Sequence, residues 1–308
     1  MPSEESLPAH IRQRGDLEAG DRALAYPSEP EPLETAVYDN HAHLEFADGE
    51  NPMDYREHLD RAEAVGVAGV VQVGTDVETS EWSVALAASE PRVLAAVSLH
   101  PNEAPRLHER GELSAALDAI AGLASKPRVV AIGETGLDFF RTEEPLHEVQ
   151  RNSFREHIRM AKEHNLALQI HDRDAHRAVV ETLKADGAPE RTVFHCFSGD
   201  GELAEILAEN GWYASFSGTV TFKNSEGLRD ALRVMPRSHI LVETDTPFLT
   251  PIPSRGKPNS PYMVPFTVRS MAETLAVGVN ELATQLTANT YEVYGRWDDT
   301  PVSSRAAE

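Results

Sequence analysis

Short, nearly continuous apolar runs recur along this chain, each followed by a segment of helical composition. They are AVYDN (36–40), VAGVVQVG (67–74), VLAAVSLH (93–100), VVAIGE (129–134), LALQIH (166–171), TVFHCFSG (192–199), WYASFSG (212–218) and HILVETD (239–245). Strands that read as apolar on both faces belong to parallel sheets covered by helices. DYREHLDRAEAVG after the first run and GELAEILAENG after the sixth are examples of the covering helices. Eight such units predict an α/β chain folded as a single-domain (β/α)8 TIM barrel. A doubly wound open sheet is the competing arrangement; the count of eight and a length suited to one domain favour the barrel. Neither GETGLD nor GVAGVVQVG has the spacing of a dinucleotide or phosphate-loop fingerprint.

The ends of the chain read differently. Residues 1–34 are rich in Glu, Asp, Pro and Ser without a sustained apolar period, which predicts a flexible or loosely docked acidic extension. The barrel is expected over 35–296 and a frayed tail over 297–308. No apolar stretch approaches the ~20 residues of a membrane span, and the first residues lack a signal-peptide core. The expectation is a soluble, cytoplasmic protein with no membrane partner and no obligate protein partner. The single cysteine, Cys196, excludes an intrachain disulfide and a Cys-rich zinc module.

Charge narrows the range of partners. The 308 residues carry 50 acidic and 28 basic side chains, a formal net charge of −22, and only five of the basic residues are lysines. Such a surface repels itself unless salt screens it, so a halophile-like cytoplasm of high ionic strength is expected, with an ordinary acidic enzyme as the alternative. Binding to nucleic acid through a broad basic surface is argued against.

In a barrel of this kind, reactive groups gather where strands end and loops begin. Taken in order, those ends carry His41 and His43, then His100, Glu134, His171, His195 and Asp245. Five of the thirteen histidines fall there; His58, His147, His157 and His164 fall in helical segments, where a solvated or capping role is the default. His41 and His43 are two apart and share one side of an extended backbone. By the same alternation Cys196 is expected to point away from His195, toward the helices, as a small packed hydrophobe. His41, His43, Glu134, His171, His195 and Asp245 are too many ligands for one tetrahedral ion. They suit two divalent cations ~3.5–4 Å apart, bridged by a carboxylate. Glu134 is the natural bridge, with His41, His43 and Asp245 on one ion and His171 and His195 on the other. Four imidazoles favour zinc, manganese or a similar ion over magnesium.

The segments DNHAHL, AIGETGLDFF, IHDRDA, HCFSG, YASFSGTVTFKN, ETDTPFLTP and RGKPNSP resemble, in order, the motifs of TatD-type metal-dependent hydrolases of the amidohydrolase superfamily. The resemblance runs from about Asp39 to Tyr294. It implies a TIM barrel, divalent metals (magnesium included) and phosphodiester hydrolysis, typically of DNA. It also implies the same ligand set, with Glu134 bridging. Ala42 stands where a cysteine is common, and SLHP replaces a GIHP-like stretch.

These readings predict a metal-dependent deoxyribonuclease acting on single-stranded or terminal DNA through an activated water. Asp245 is expected to orient and deprotonate the water, with Glu134 and His100 also catalytic. His100 is expected to bind a phosphate or protonate the leaving oxygen. Arg173, two residues past His171, and Arg255, in the loop after the last strand, are expected substrate contacts. Glu243 and Asp138 share the parity of the ligands beside them; Glu243 is expected to orient a ligand, while Asp138 divides between the site and a helix-start cap. A metal-dependent amide or ester hydrolase, such as an aminoacyl-RNA deacylase, fits the same shell.

Overall fold

The computed structural model describes residues 7–14 and 24–298. Eight parallel strands follow one another in chain order around a barrel: β1 (Val37–Ala42), β2 (Val67–Val73), β3 (Val93–Val97), β4 (Val129–Asp138), β5 (Ala167–Arg173), β6 (Thr192–Phe194), β7 (Tyr213–Phe216) and β8 (Ile240–Val242). The seam between β8 and β1 is closed just beyond β8, where Asp245 N donates to His41 O at 3.0 Å and His43 N to Thr246 O at 2.8 Å. Asp39, fully buried, stitches the same seam by accepting from Thr244 N at 2.9 Å. The eightfold closed sheet is a TIM barrel, and the competing open sheet is set aside by that closure.

The apolar runs form these strands because both faces are covered. Val70, Ala95, Ile132, Leu168, Phe194 and Val242 lie in a core shared with the surrounding helices, while Val71, Val73, Leu94, Ala131, Ala167 and Val193 fill the barrel interior. Trp297 closes the bottom: its indole stacks on Tyr38 with centroids 4.2 Å apart, and Arg128 donates to its carbonyl at 2.8 Å. Strands β6 and β8 are shorter than their sequence runs. β6 stops at Phe194, and Cys196 then adopts φ 41°; β8 stops at Val242, and Asp245 adopts φ 60°. Both are left-handed conformations uncommon for non-glycine residues, and both occur where the chain turns side chains into the barrel mouth. Gly136, at φ 134°, lets β4 pass close to β5: a Cβ there would run into the carbonyl of His171.

The described parts of the N-terminal extension lie against the barrel. Residues Arg12–Gln13 pair in parallel with Phe46–Ala47, Trp82 Nε1 donates to Pro8 O at 3.0 Å, and Tyr262 OH donates to Pro27 O at 2.7 Å. Residues 1–6 and 15–23 of the extension expected to be flexible, and 299–308 of the tail, lie outside the described residues. Among the described residues, no helix is long and apolar enough to cross a membrane.

Two helical histidines depart from the expected solvated role. His58 and His157 are buried. His58 Nδ1 lies 2.8 Å from Ser260 Oγ; His157 Nδ1 lies 2.7 Å from Ser153 O, and its Nε2 accepts from Leu99 N at 3.0 Å. Each sits on the inner face of its helix, where satisfied ring nitrogens make burial tolerable.

Candidate metal centre

At the C-terminal end of the strands lies a cavity of about 1010 Å³. His41 is the penultimate residue of β1 and His43 follows the strand, and their Nε2 atoms stand 3.2 Å apart. His43 Nδ1 lies 2.9 Å from the carbonyl of Val73, so the ring proton belongs on Nδ1 and the Nε2 lone pair faces the site. Burial lowers the proton affinity of both rings, His43 to about 4 and His41 well below its usual value, where the charge of His195 adds to the effect. Both are held as neutral imidazoles, the form that ligates metal.

Glu134 lies inside β4 and not at its end, because β4 continues to Asp138 beyond a register shift between Ile132 and Thr135. Its two oxygens face two different sets of histidines. Oε1 stands 2.6 Å from His171 Nδ1, 2.8 Å from His195 Nε2 and 3.4 Å from His100 Nε2. Oε2 stands 3.6 Å from His41 Nε2 and 3.7 Å from His43 Nε2. Burial alone would raise this carboxyl, but the charges of His195 and His100 and hydrogen bonds from His100 and His171 outweigh it and hold it well below the usual carboxylate range. Asp245 Oδ1 completes the group, 3.6 Å from His43 Nε2 and 3.9 Å from His41 Nε2. Burial pushes the Asp245 carboxyl up, with repulsion from Glu134 and Glu243 working against the attraction of His195.

The structure thus brings together His41, His43, Glu134, His171, His195 and Asp245, which come from five strands or strand ends. Ligand atoms of His41, His43 and Glu134 lie within 4.8 Å of one another, as do those of His41, His195 and Asp245. This donor set fits divalent cations on three counts. The lone pairs of the neutral His41 and His43 rings converge, the Glu134 carboxylate beside them stays ionised, and buried His41 Nδ1 and Glu243 Oε2 have no hydrogen-bond partner among the described residues.

His100 differs in a way that bears on its role. It also groups with Glu134 and His171. Its Nδ1 accepts from Asn102 N at 3.0 Å, which places the proton of the neutral ring on Nε2, toward the cavity. That ring presents a donor where His43 presents a lone pair. Asp138 belongs to the site and to the loop at once. Its Oδ2 accepts from Asn102 Nδ2 at 2.9 Å and stands 3.3 Å from His171 Nε2, while Oδ1 accepts from Arg141 N at 2.9 Å.

Arg173 lines the cavity with its guanidinium 4.0 Å from the Phe140 ring centroid, and the neighbouring Asp172 is taken by His176 at 2.7 Å. Arg255 is not among the lining residues; it lies 4.3 Å over Phe222, which does line the cavity. Cys196 corrects an expectation. It lines the cavity instead of facing the helices, because β6 ends two residues earlier and the left-handed turn at Cys196 breaks the alternation. Arg12 also lines the cavity. Sequence reasoning missed it because nothing in the aperiodic extension ties it to the barrel.

The family model described as TatD related DNase matches residues 38–295. The chain belongs to this family. It is 41% identical over 265 residues to a protein of Mycobacterium tuberculosis called uncharacterized metal-dependent hydrolase TatD, covering 84% of this chain and 98% of that one. It is 36% identical over 259 residues to the Bacillus subtilis uncharacterized metal-dependent hydrolase YabD, again 84% and 98%. The crystal structure of YJJV, a TatD homolog from Escherichia coli, superposes with a TM-score of 0.77 at 28% identity, covering 84% of this chain and 98% of that one. The chain is accordingly a metal-dependent hydrolase of TatD type, with a histidine and carboxylate centre able to hold metal.

Proposed function

We propose that this hydrolase cleaves phosphodiester bonds, as a deoxyribonuclease acting on single-stranded DNA or DNA ends. The observation that carries the reading is the split of Glu134, one oxygen toward His171 and His195 and the other toward His41 and His43. In this reading His41, His43 and Asp245 would hold one divalent ion (zinc, manganese or magnesium) and His171 and His195 a second, with Glu134 available to both. Two such ions, when bound, supply positive charge for the oxygens of an in-line displacement and a water acidic enough to attack near neutral pH.

The remaining steps belong to the protein. Asp245, with one oxygen near His41 and His43, has a second available to accept the proton of the attacking water. His100 Nε2–H, 3.4 Å from Glu134 Oε1, borders the cavity and would turn from that oxygen to donate to a nonbridging phosphate oxygen or to the departing oxygen. Arg173, steadied on Phe140, offers a forked pair of N–H groups to a phosphate. Arg255, outside the cavity lining but 4.3 Å over the lining residue Phe222, would meet substrate that extends past that ring. The charge of −22 repels a long duplex, whereas a single-stranded end needs only these few contacts.

The test is direct. Purified enzyme is assayed with single-stranded oligonucleotides, aminoacyl-RNA and simple amides. Turnover of oligonucleotides supports the reading; turnover of only the other two classes replaces it with the amide or ester hydrolase.

A further inference from the structure

The family match begins at residue 38, yet the cavity wall includes a residue from well before it. Residues 7–14 are fastened to the loop that leaves β1. Ile11 N and Arg12 N both reach Glu45 O, at 3.1 and 3.2 Å, and Arg14 N donates to Ala47 O at 3.1 Å. His10 Nε2 lies 2.8 Å from Met53 O. In this extended segment Arg12 and Arg14 share one side, and each lies over a phenylalanine of the cavity wall. The Arg12 guanidinium is 5.7 Å from the Phe46 centroid and that of Arg14 is 4.7 Å from the Phe248 centroid. The two rings meet edge to face at 5.8 Å, and Phe46 meets His43 edge-on at 6.3 Å. Phe248 N donates to Asp245 O at 2.8 Å.

The arginines are not equivalent. Arg14 donates to Pro247 O at 2.8 Å and to Asp48, itself buried, at 3.2 Å, and its role is to hold the segment down. Arg12 donates to Thr75 Oγ1 at 2.8 Å and pairs with Asp76, which aims it along the wall; it lines the cavity, and 27% of its side chain remains exposed. Of the other arginines lining the cavity, Arg106 and Arg141 come from the segments after β3 and β4, and Arg173 ends β5. Arg12 stands instead over the loops after β1 and β2, beside Phe46 and Thr75.

From this arrangement we infer that residues 7–14 form a strap that adds a substrate subsite: Arg12 takes the phosphate of the nucleotide next to the scissile bond, and Phe46 and Phe248 wall its sugar and base. The inference rests on the phosphodiester reading and deepens it. It makes the enzyme a reader of oligonucleotide chains and not of isolated phosphodiesters. Arginine suits the task because one N–H on each terminal nitrogen fixes its orientation, toward Thr75 and Asp76, while the remaining three of its five donors can still meet an anion. Flat apolar rings receive a base without regard to its identity.

The test is a selectivity ratio, kcat/KM for a single-stranded tetranucleotide divided by kcat/KM for bis(4-nitrophenyl) phosphate, which carries no second phosphate. It is measured for the wild type, Arg12→Ala, Arg12→Lys and a chain lacking residues 1–14. The ratio should fall about tenfold in Arg12→Ala, chiefly through KM for the tetranucleotide. It should fall comparably in the shortened chain and recover in part in Arg12→Lys, which keeps the charge without the fork. A purely structural strap would lower both activities together and leave the ratio unchanged, which overturns the inference, as does an Arg12→Ala ratio equal to that of the wild type. A wild type that cleaves neither phosphodiester overturns the phosphodiester reading, and the subsite with it.

Discussion

Glu243 Oε1 stands 3.3 Å from His195 Nδ1, behind the ring whose Nε2 faces Glu134 Oε1 at 2.8 Å. The same Oε1 accepts the amide of Cys196 at 2.7 Å, so one buried carboxylate both attracts the imidazole and fixes the left-handed turn that presents it. Although burial works against protonation of His195, the charges of Glu134 and Glu243 raise its proton affinity well above the usual value. Glu243 is therefore a positioning residue. Glu243→Gln keeps the shape and an acceptor for Cys196 but removes the charge. Metal affinity should fall about 10–100-fold, read by competition with a chelator. Wild-type affinity in that variant would remove Glu243 from the account.

Asp245 is assigned both a ligand oxygen and a proton acceptor. Asp245→Asn retains an oxygen for ligation and loses the capacity to accept a proton. Its kcat should drop by about 10²–10⁴-fold, larger than any loss of bound metal accounts for. Hydrolysis at the wild-type rate would defeat the assignment.

The His100 ring offers a donor, because Asn102 N occupies its Nδ1. His100→Gln should leave the number of bound ions unchanged while lowering kcat about 10²-fold. Loss of one ion from that variant, measured by elemental analysis, would instead make His100 a ligand.

Much of this was legible in the sequence, and the reason is physical. Barrel strands buried on both faces must be apolar along their length, so the runs around Val70, Leu94 and Leu168 stand out without any tertiary information. His41 and His43 are legible because period-two geometry forces them to one side. What was lost lies where regular geometry stops. Alternation places Cys196 correctly only if β6 continues through it, and β6 ends at Phe194. Glu134 reads as a strand-end residue because nothing local announces that β4 runs on to Asp138. His157 looked like a surface residue because its partners, Leu99 N and Ser153 O, are backbone groups that no side-chain pattern reveals. Arg12 gave no signal, since its contacts to Thr75 and Asp76 are more than sixty residues away.

His157 also gives the protein a pH dependence separable from the metal centre. Burial lowers its proton affinity to about 4, against the usual 6.5, with Ser153 O and the charge of Glu156 opposing. Between those values the unfolded chain binds more protons than the folded one, so stability rises with pH; the contribution is complete above about 6.5 and is lost as pH falls toward 4. Moving from pH 7 to pH 5 should cost about 2 kcal/mol through this residue. His157→Gln should be less stable than the wild type at pH 7 and less sensitive to acid, as read from denaturant midpoints at the two pH values. Parallel pH profiles for the two proteins would contradict this.

The central claim is that Glu134 joins two divalent ions in one hydrolytic centre. The most direct measurement is metal content together with oligonucleotide hydrolysis, before chelation, after it, and on titrating back Mg²⁺, Mn²⁺ or Zn²⁺ at low and high KCl. The account predicts loss of activity on chelation and recovery that is complete only at two ions per chain, with Glu134→Ala unable to hold both. Full activity with a single ion per chain, or activity that survives complete removal of metal, would contradict it.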